Sequence, residues 1–137
     1  MQKYTGGCVC GHIRYTVTGE PLFPHLCTCP MCQRWSGAPA LGWVDFKRSA
    51  VVFHGPGGEP ALYRSPEPTQ SGFQRGFCPI CGSPVCALDD GAEEIALTIG
   101  TLDEPSSIVP ESQSYPESAP SWLRIEAVAP ATHEPTP

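Results

Sequence analysis

The sequence contains few basic residues for its length. Eight Lys and Arg stand against 14 Asp and Glu in 137 residues, which gives a net charge of −6. Domains that bind nucleic acid usually carry a basic face, so this balance argues against a general DNA- or RNA-binding protein.

The few basic residues are unevenly distributed along the chain. Residues 1–86 have seven Lys and Arg against four acidic residues, whereas residues 87–137 have one Arg against ten. All eight cysteines lie in the first, mildly basic part. This asymmetry favours a small anionic ligand near the cysteines, and the alternative is an accident of surface charge.

The sequence also lacks a long hydrophobic run. No segment approaches the roughly 20 apolar residues that a membrane-spanning helix needs, and residues 1–7 (MQKYTGG) lack the apolar core of a secretory signal. We therefore expect a cytoplasmic protein without a membrane partner. In a reducing compartment, paired cysteines are more often metal ligands than disulfides.

Sustained helical periodicity is absent as well. Short runs of alternating polar and apolar residues recur between turn-forming clusters, and Gly and Pro together account for 31 residues. This pattern predicts a single all-β domain of antiparallel sheets over residues 1–129, followed by a Pro-rich tail at 130–137. Residues 104–120 are predicted as loop, with a short strand considered at 108–109. The predicted strands are 13–17, 41–46, 51–53, 60–64, 73–77, 85–88, 95–99 and 122–127.

Two of the cysteine clusters are half-sites for a structural metal ion. Cys78 and Cys81 form a CPxCG knuckle, in which the glycine lets the backbone turn beneath the metal. A knuckle supplies two ligands and structural zinc needs four. Cys8 and Cys10, flanked by glycines, are the natural partners. The alternative is that the knuckle pairs with the remaining cluster.

The remaining cluster has three cysteines, Cys27, Cys29 and Cys32, and no obvious fourth ligand. Catalytic zinc sites keep three protein ligands and leave one position for water or substrate. Three thiolates suit a soft fourth ligand, above all a substrate thiol. His25 and Cys86 are the alternatives for the fourth ligand, although a lone cysteine in a strand is more often a buried apolar residue.

Four motifs resemble the glutathione-dependent formaldehyde-activating enzyme family and the related centromere protein V domain. The resemblance runs from about residue 6 to 127 and also includes Trp122. The motifs are GGCVCGHIRY at 6–15, CTCPMCQR at 27–34, RGFCPICG at 75–82 and GTLD at 100–103.

The resemblance implies a β-tent fold and two zinc ions per chain. One zinc would be structural, on Cys8, Cys10, Cys78 and Cys81; the other would be catalytic, on Cys27, Cys29 and Cys32. The implied activity adds glutathione to formaldehyde to give S-hydroxymethylglutathione, formally a carbon–sulfur lyase in reverse. Glutathione and a small aldehyde would then be the partners, and a homo-oligomer remains open.

The sequence departs from the family pattern at two positions. Thr28 and Gln113 stand where the family usually has histidine. Histidine is the side chain best suited to move protons near neutral pH. The two departures therefore concern acid–base roles and the identity of the substrate, and they remove none of the proposed zinc ligands.

Glutathione carries two carboxylates, so its site needs a cation. Arg34, just after the three-cysteine loop, is the first choice for this contact, and Arg75 is the second. Trp35 and Phe73 either line a pocket or belong to the core. The rival interpretations of the chain are a non-enzymatic zinc-stabilised scaffold, the same chemistry on another small electrophile, and a zinc-ribbon module for nucleic acid.

Overall fold

The computed structural model describes residues 2–66 and 72–126, and within these ranges it contains ten strands and one α-helix. None of the helices in these ranges has the length and apolar character needed to cross a membrane. The strands are β1 (Lys3–Gly7), β2 (Arg14–Thr18), β3 (Leu22–Cys27), β4 (Leu41–Lys47), β5 (Val51–Phe53), β6 (Ala61–Arg64), β7 (Phe73–Phe77), β8 (Pro84–Asp89), β9 (Glu94–Thr98) and β10 (Ser112–Ser114), and the helix is α1 (Pro30–Ser36).

The predicted all-β fold is confirmed, and the seven strands predicted between residues 13 and 99 form within one residue of their expected ends. The strand predicted at 122–127 is wrong, since 122–126 form a turn and extended loop and residue 127 lies outside the described residues. No strand forms at 108–109 either, where Ile108 is buried at a bend. The predicted tail at 130–137 also lies outside the described residues.

The strands form two sheets. The smaller has the order β1-β2-β5 and the larger the order β10-β3-β4-β9-β8-β7-β6. All pairs are antiparallel except β10 and β3, which run parallel with Ser112 opposite His25 and Ser114 opposite Cys27. This parallel pair corrects the expectation of purely antiparallel sheets. β10 has the polar sequence Ser-Gln-Ser, so it is held by its partner strand and carries no alternating signal of its own.

The main core lies between the two sheets. Tyr15 and Val17 of β2 are fully buried there, and Phe46 of β4 and Leu97 of β9 meet them from the larger sheet. Cys86 of β8 belongs to the same core and is only 1% exposed. Because successive side chains in a strand point to opposite faces, Asp45 of β4, Ala87 of β8 and Ala96 of β9 lie on the other face of the larger sheet.

That other face, which we call the site face, carries a second and smaller cluster. Cys27 of β3, Trp43 of β4 and Ala87 of β8 are buried in it. Helix α1 covers one side of this cluster, and its Trp35 ring lies parallel to the Trp43 ring with 6.0 Å between centroids. The site face is therefore the place where the three-cysteine loop, the helix and the sheet meet.

An ion pair ties the smaller sheet to the loop after β9. Both guanidinium nitrogens of Arg14 contact the Asp103 carboxylate, at 2.9 and 2.6 Å, and the Thr5 hydroxyl donates to it at 2.6 Å. Asp103 is the last residue of the GTLD motif at 100–103. The hydrogen bonds from Arg14, and then that from Thr5, lower the pKa of Asp103 to about 2. The motif thus has a structural role in this chain.

We expect Asp103→Asn to lower the free energy of unfolding at pH 7, by about 1 kcal/mol or less because the pair is partly exposed. A carboxyl whose folded pKa is depressed stabilises the fold above its unfolded pKa near 4, and this contribution is lost as the pH falls toward 2. Urea unfolding of both proteins at matched pH from 7 to 3 should show the difference shrinking below pH 4. A difference that stays constant over this range would contradict the assignment, and Glu104→Gln is the exposed control.

Candidate active site and metal centres

The first metal centre joins the two sheets at one end. Cys8 and Cys10 follow β1, and Cys78 and Cys81 lie in the turn between β7 and β8. Their four Sγ atoms lie within 4.8 Å of one another. The structure thus brings together the four cysteines expected to form the structural centre, and the knuckle does not pair with the three-cysteine cluster.

The surroundings of these sulfurs fit a metal-bound thiolate centre. Backbone N–H groups donate to them, from Ile13 to Cys8 Sγ at 3.2 Å and from Ile80 and Cys81 to Cys78 Sγ at 3.4 Å each. Hydrogen bonds from Ser83 lower the pKa of the Cys81 thiol to about 5. Four sulfur donors in one group are the ligand set typical of structural zinc.

The second centre lies where β3 runs into α1. Cys27 ends the strand, Cys29 is the N-cap of the helix and Cys32 lies in its first turn. The three sulfurs lie within 4.8 Å of one another, and the Cys32 N–H donates to Cys29 Sγ at 3.2 Å. Among residues 2–66 and 72–126, no His, Asp, Glu or further Cys joins this group. The donor set fits a zinc site with one position left for another ligand.

Cys86 is not part of the second centre. Its side chain packs in the main core, where a Cβ added to Gly76 would clash with Cys86 Sγ. Burial raises the pKa of this thiol to about 12. Cys86 therefore acts as a small apolar residue, and the alternative that it supplies a fourth ligand is wrong.

His25 lies near the three cysteines without joining them. It sits two residues before Cys27 in β3, so both side chains occupy the site face. Its Nδ1–H donates to the Phe23 carbonyl at 2.8 Å, which leaves Nε2 as an acceptor. Phe23 has a positive φ of 46° and its ring stacks on the imidazole at 4.1 Å between centroids. Burial lowers the pKa of His25, which favours the neutral ring.

The cysteines of the second centre are not equivalent when no ion is bound. A hydrogen bond from Cys27 is the largest effect that lowers the pKa of Cys32, to about 5, and Trp43, Cys29 and the Arg75 charge act in the same direction. The pKa of Cys27 is raised, because it donates to Cys32 and is buried. Cys32 is thus the sulfur that most readily carries negative charge.

Arg75 is the cation nearest to this charge. Its side chain is only 6% exposed, and its guanidinium lies 5.0 Å from the ring centroid of Trp35 and 5.1 Å from that of Phe73. One guanidinium nitrogen is 4.0 Å from Cys32 Sγ. In the described part of the chain no carboxylate pairs with Arg75. Trp35 and Phe73 therefore flank a buried cation whose N–H donors have no carboxylate partner among the described residues.

Arg34 takes a different position. It is exposed on α1 and lines a neighbouring cleft with Met31, Trp35 and Tyr63, whereas Arg75 lines both that cleft and the clefts next to Cys32. Arg34 as the substrate-binding residue thus stays a prediction. The geometry gives the second choice, Arg75, the position beside the sulfurs.

The two residues that replace the family's histidines contact each other. Gln113 Nε2 donates to the Thr28 hydroxyl at 3.2 Å, and that hydroxyl donates to the Tyr115 carbonyl at 2.7 Å. Thr28 is fully buried between Cys27 and Cys29. Gln33 Nε2 adds bonds to the carbonyls of Thr28 and Ser118 at 2.9 and 3.0 Å. In this chain the two positions therefore hold the cysteine loop against residues 113–118.

Comparison with known proteins decides the family. The model of the family described as glutathione-dependent formaldehyde-activating enzyme matches residues 3–118. The chain belongs to this family. A crystal structure of a Rhodobacter sphaeroides protein has a similar fold, with a TM-score of 0.56 and 22% sequence identity over 72% of this chain and 87% of that one. A search of the curated proteins gave no match.

Sequence reasoning missed the helix that carries Cys32. Pro30 at its first position and Gly37 at its C-cap, with a φ of 74°, are the usual start and stop signals. The helix has only seven residues, too few to show a periodic pattern. Sequence reasoning also missed the contact of Thr28 with Gln113, because nothing in the local sequence indicates that β10 pairs with β3.

We expect Thr28→Val to lower the free energy of unfolding by about 1–2 kcal/mol, because it removes a fully buried hydroxyl together with its hydrogen bonds to the Gln113 amide and the Tyr115 carbonyl. The β-branched shape is kept. Urea unfolding of the zinc-loaded protein measures the effect, with Thr18→Val at the exposed end of β2 as the matched control. Equal effects of the two substitutions would show that the network does not stabilise the loop.

Proposed function

We propose that the protein is a zinc-dependent enzyme of the carbon–sulfur lyase type that adds glutathione to formaldehyde to give S-hydroxymethylglutathione. The observation that carries the proposal is a group of three cysteine sulfurs in an open cleft, with a buried arginine beside it. Membership of the family supports glutathione and formaldehyde as the substrates.

A zinc ion held by Cys27, Cys29 and Cys32 would supply a position at which a thiol is stabilised as thiolate. The role of the protein around it is to bind and orient. Arg75 offers its free N–H donors to a glutathione carboxylate, and its clamp between Trp35 and Phe73 fixes the direction of those donors. Arg34 contributes positive charge from the neighbouring cleft.

The reaction forms a C–S bond and breaks the π bond of the aldehyde carbonyl. The thiol loses one proton and the former carbonyl oxygen gains one, so no external oxidant or reductant is needed. His25 Nε2 is the acceptor available for the thiol proton, since Nδ1 is engaged with Phe23. Holding the two reactants together in one cleft accounts for a large part of the expected acceleration.

The lack of histidine at 28 and 113 changes which residues can transfer protons. It does not change where the two substrates would bind. Thr28 and Gln113 use their polar groups on each other and on the Tyr115 carbonyl. Neither therefore has a group free to act as an acid or a base. His25 is the imidazole that remains in the cleft among the residues described.

The deciding experiment compares Cys29→Ser with Cys78→Ser in the protein loaded with zinc. Wild type is expected to hold two zinc ions and to form S-hydroxymethylglutathione faster than the uncatalysed mixture, followed by NMR. Cys29→Ser should lose one zinc and this acceleration but keep the fold, because its centre lies outside the main core between the two sheets. Cys78→Ser should unfold, because its centre joins the two sheets.

Two outcomes would count against the proposal. Wild type that holds two zinc ions but leaves the rate unchanged would favour a zinc-stabilised scaffold. Acceleration with other thiols or aldehydes but not with glutathione and formaldehyde would assign the same chemistry to another substrate. If Cys29→Ser unfolds as readily as Cys78→Ser, the division into a structural and a catalytic centre is wrong.

A second prediction separates the two arginines. Arg75→Lys should raise the KM for glutathione about tenfold or more with a smaller change in kcat, because lysine cannot reproduce the two-donor contact to a carboxylate. Arg34→Lys, a matched change on the exposed residue, should alter KM by less than about threefold. The reverse order of effects would restore Arg34 as the main carboxylate contact.

A further inference from the structure

A shallow trough crosses the site face next to the three cysteines. The strand register aligns Asp45, Ala96, Ala87 and Arg75 in one row across β4, β9, β8 and β7. Neighbouring strands lie about 4.8 Å apart, so the backbone positions of Asp45 and Arg75 are about 14 Å apart. The two alanines between them carry only methyl groups, so the surface of the sheet is recessed between the longer side chains of Asp45 and Arg75. This row is the floor of a cleft of about 330 Å³ that also contacts Cys32 and His25.

The two ends of the trough carry opposite charge. Arg75 is at one end, nine-tenths buried and without a carboxylate partner in the described ranges. Asp45 and Glu94 are at the other end, on adjacent strands, and both line the cleft. Burial, and then the charge of Glu94, raise the pKa of Asp45 to about 6.

The residues around Asp45 leave its charge unmatched. Lys47 lies opposite Glu94 in the register, yet within residues 2–66 and 72–126 it forms no ion pair with Glu94 or Asp45. Asp89 lines the same cleft and forms no ion pair with Arg75. A half-buried carboxylate and a buried guanidinium that do not reach each other are both poorly solvated. A ligand with a cation at one end and an anion at the other would satisfy both.

We propose that the trough binds a zwitterionic thiol, with its ammonium group against Asp45 and Glu94 and a carboxylate on Arg75. The ligand sulfur then lies beside Cys27, Cys29 and Cys32. This inference rests on the proposed function and adds to it a selection rule. Thiols that carry an ammonium group remote from a carboxylate, as glutathione does, are bound, and thiols that lack the ammonium group are bound weakly.

The test measures binding without chemistry. S-methylglutathione keeps the ammonium and both carboxylates but has no thiol. Its N-acetyl derivative replaces the ammonium by a larger, neutral amide, and comparison with the Asp45 variant separates the effect of charge from that of size. Isothermal titration calorimetry on the zinc-loaded full chain should show the N-acetyl compound binding at least about tenfold more weakly. Asp45→Asn, which keeps the side-chain shape, should remove most of this difference. Glu93→Gln makes the same charge change on an exposed neighbour outside the cleft and should preserve it.

The outcomes separate this inference from the proposed function. Equal binding of the two compounds, or no binding of either, contradicts the proposal that the trough binds a zwitterionic thiol, whatever the rate of formaldehyde addition. A difference that survives both Asp45→Asn and Glu94→Gln also overturns it, and circular dichroism confirms that each variant is folded. A difference that depends on Asp45, in a protein that does not accelerate the reaction of glutathione with formaldehyde, upholds the trough and refutes the proposed function.

Discussion

The convergence of cysteine sulfurs from distant parts of the chain is the constraint on which the rest of the structure depends. Cys8 and Cys10 lie in the loop that follows β1 of the smaller sheet. Cys78 and Cys81 lie in the turn between β7 and β8 of the larger sheet. A metal ion there would bind the two sheets together at one end of the core, and its binding energy would add to the stability of the fold. In a chain of this size, with an apolar core of modest extent, such a contribution is large.

The two faces of the larger sheet have different roles. One face packs in the main core, and the other, the site face, carries the candidate active site. Phe46, Leu97 and Cys86 point to the main core and are almost fully buried there. Their sequence neighbours point to the site face, where Asp45 and Ala96 line the cleft. Because alternation in a strand assigns every second side chain to each face, one set of strands can supply both a dry core and a charged site.

The pair formed by Thr28 and Gln113 links two distant segments of the chain beside the three cysteines. The fully buried Thr28 hydroxyl accepts a hydrogen bond from the half-buried Gln113 amide and donates one to the Tyr115 carbonyl, which holds the cysteine loop in place. A hydrogen bond of this kind contributes about 1 kcal/mol to stability.

The sequence by itself determined the two cysteine groups, the all-β character and most strand positions. These features depend on local spacing: ligands three residues apart, alternation with a period of two, and turns marked by Gly and Pro. Strands β1, β3 and β10 and helix α1 were not predicted. Glycines end β1, a proline and no alternation mark β3, β10 has a polar sequence, and the helix has only seven residues. The strand predicted at 122–127 is wrong over residues 122–126, because no described strand pairs with them.

Only the tertiary structure decided which side chains meet. Arg34 and Arg75 are equally basic in the sequence, yet one is exposed and the other is clamped beside Cys32. Asp45 and Arg75 share a row, and Thr28 meets Gln113, because β4 pairs with β9 and β10 pairs with β3. Such pairings join residues far apart along the chain. Strand order and register are set by the packing of the whole core, and no local pattern contains them.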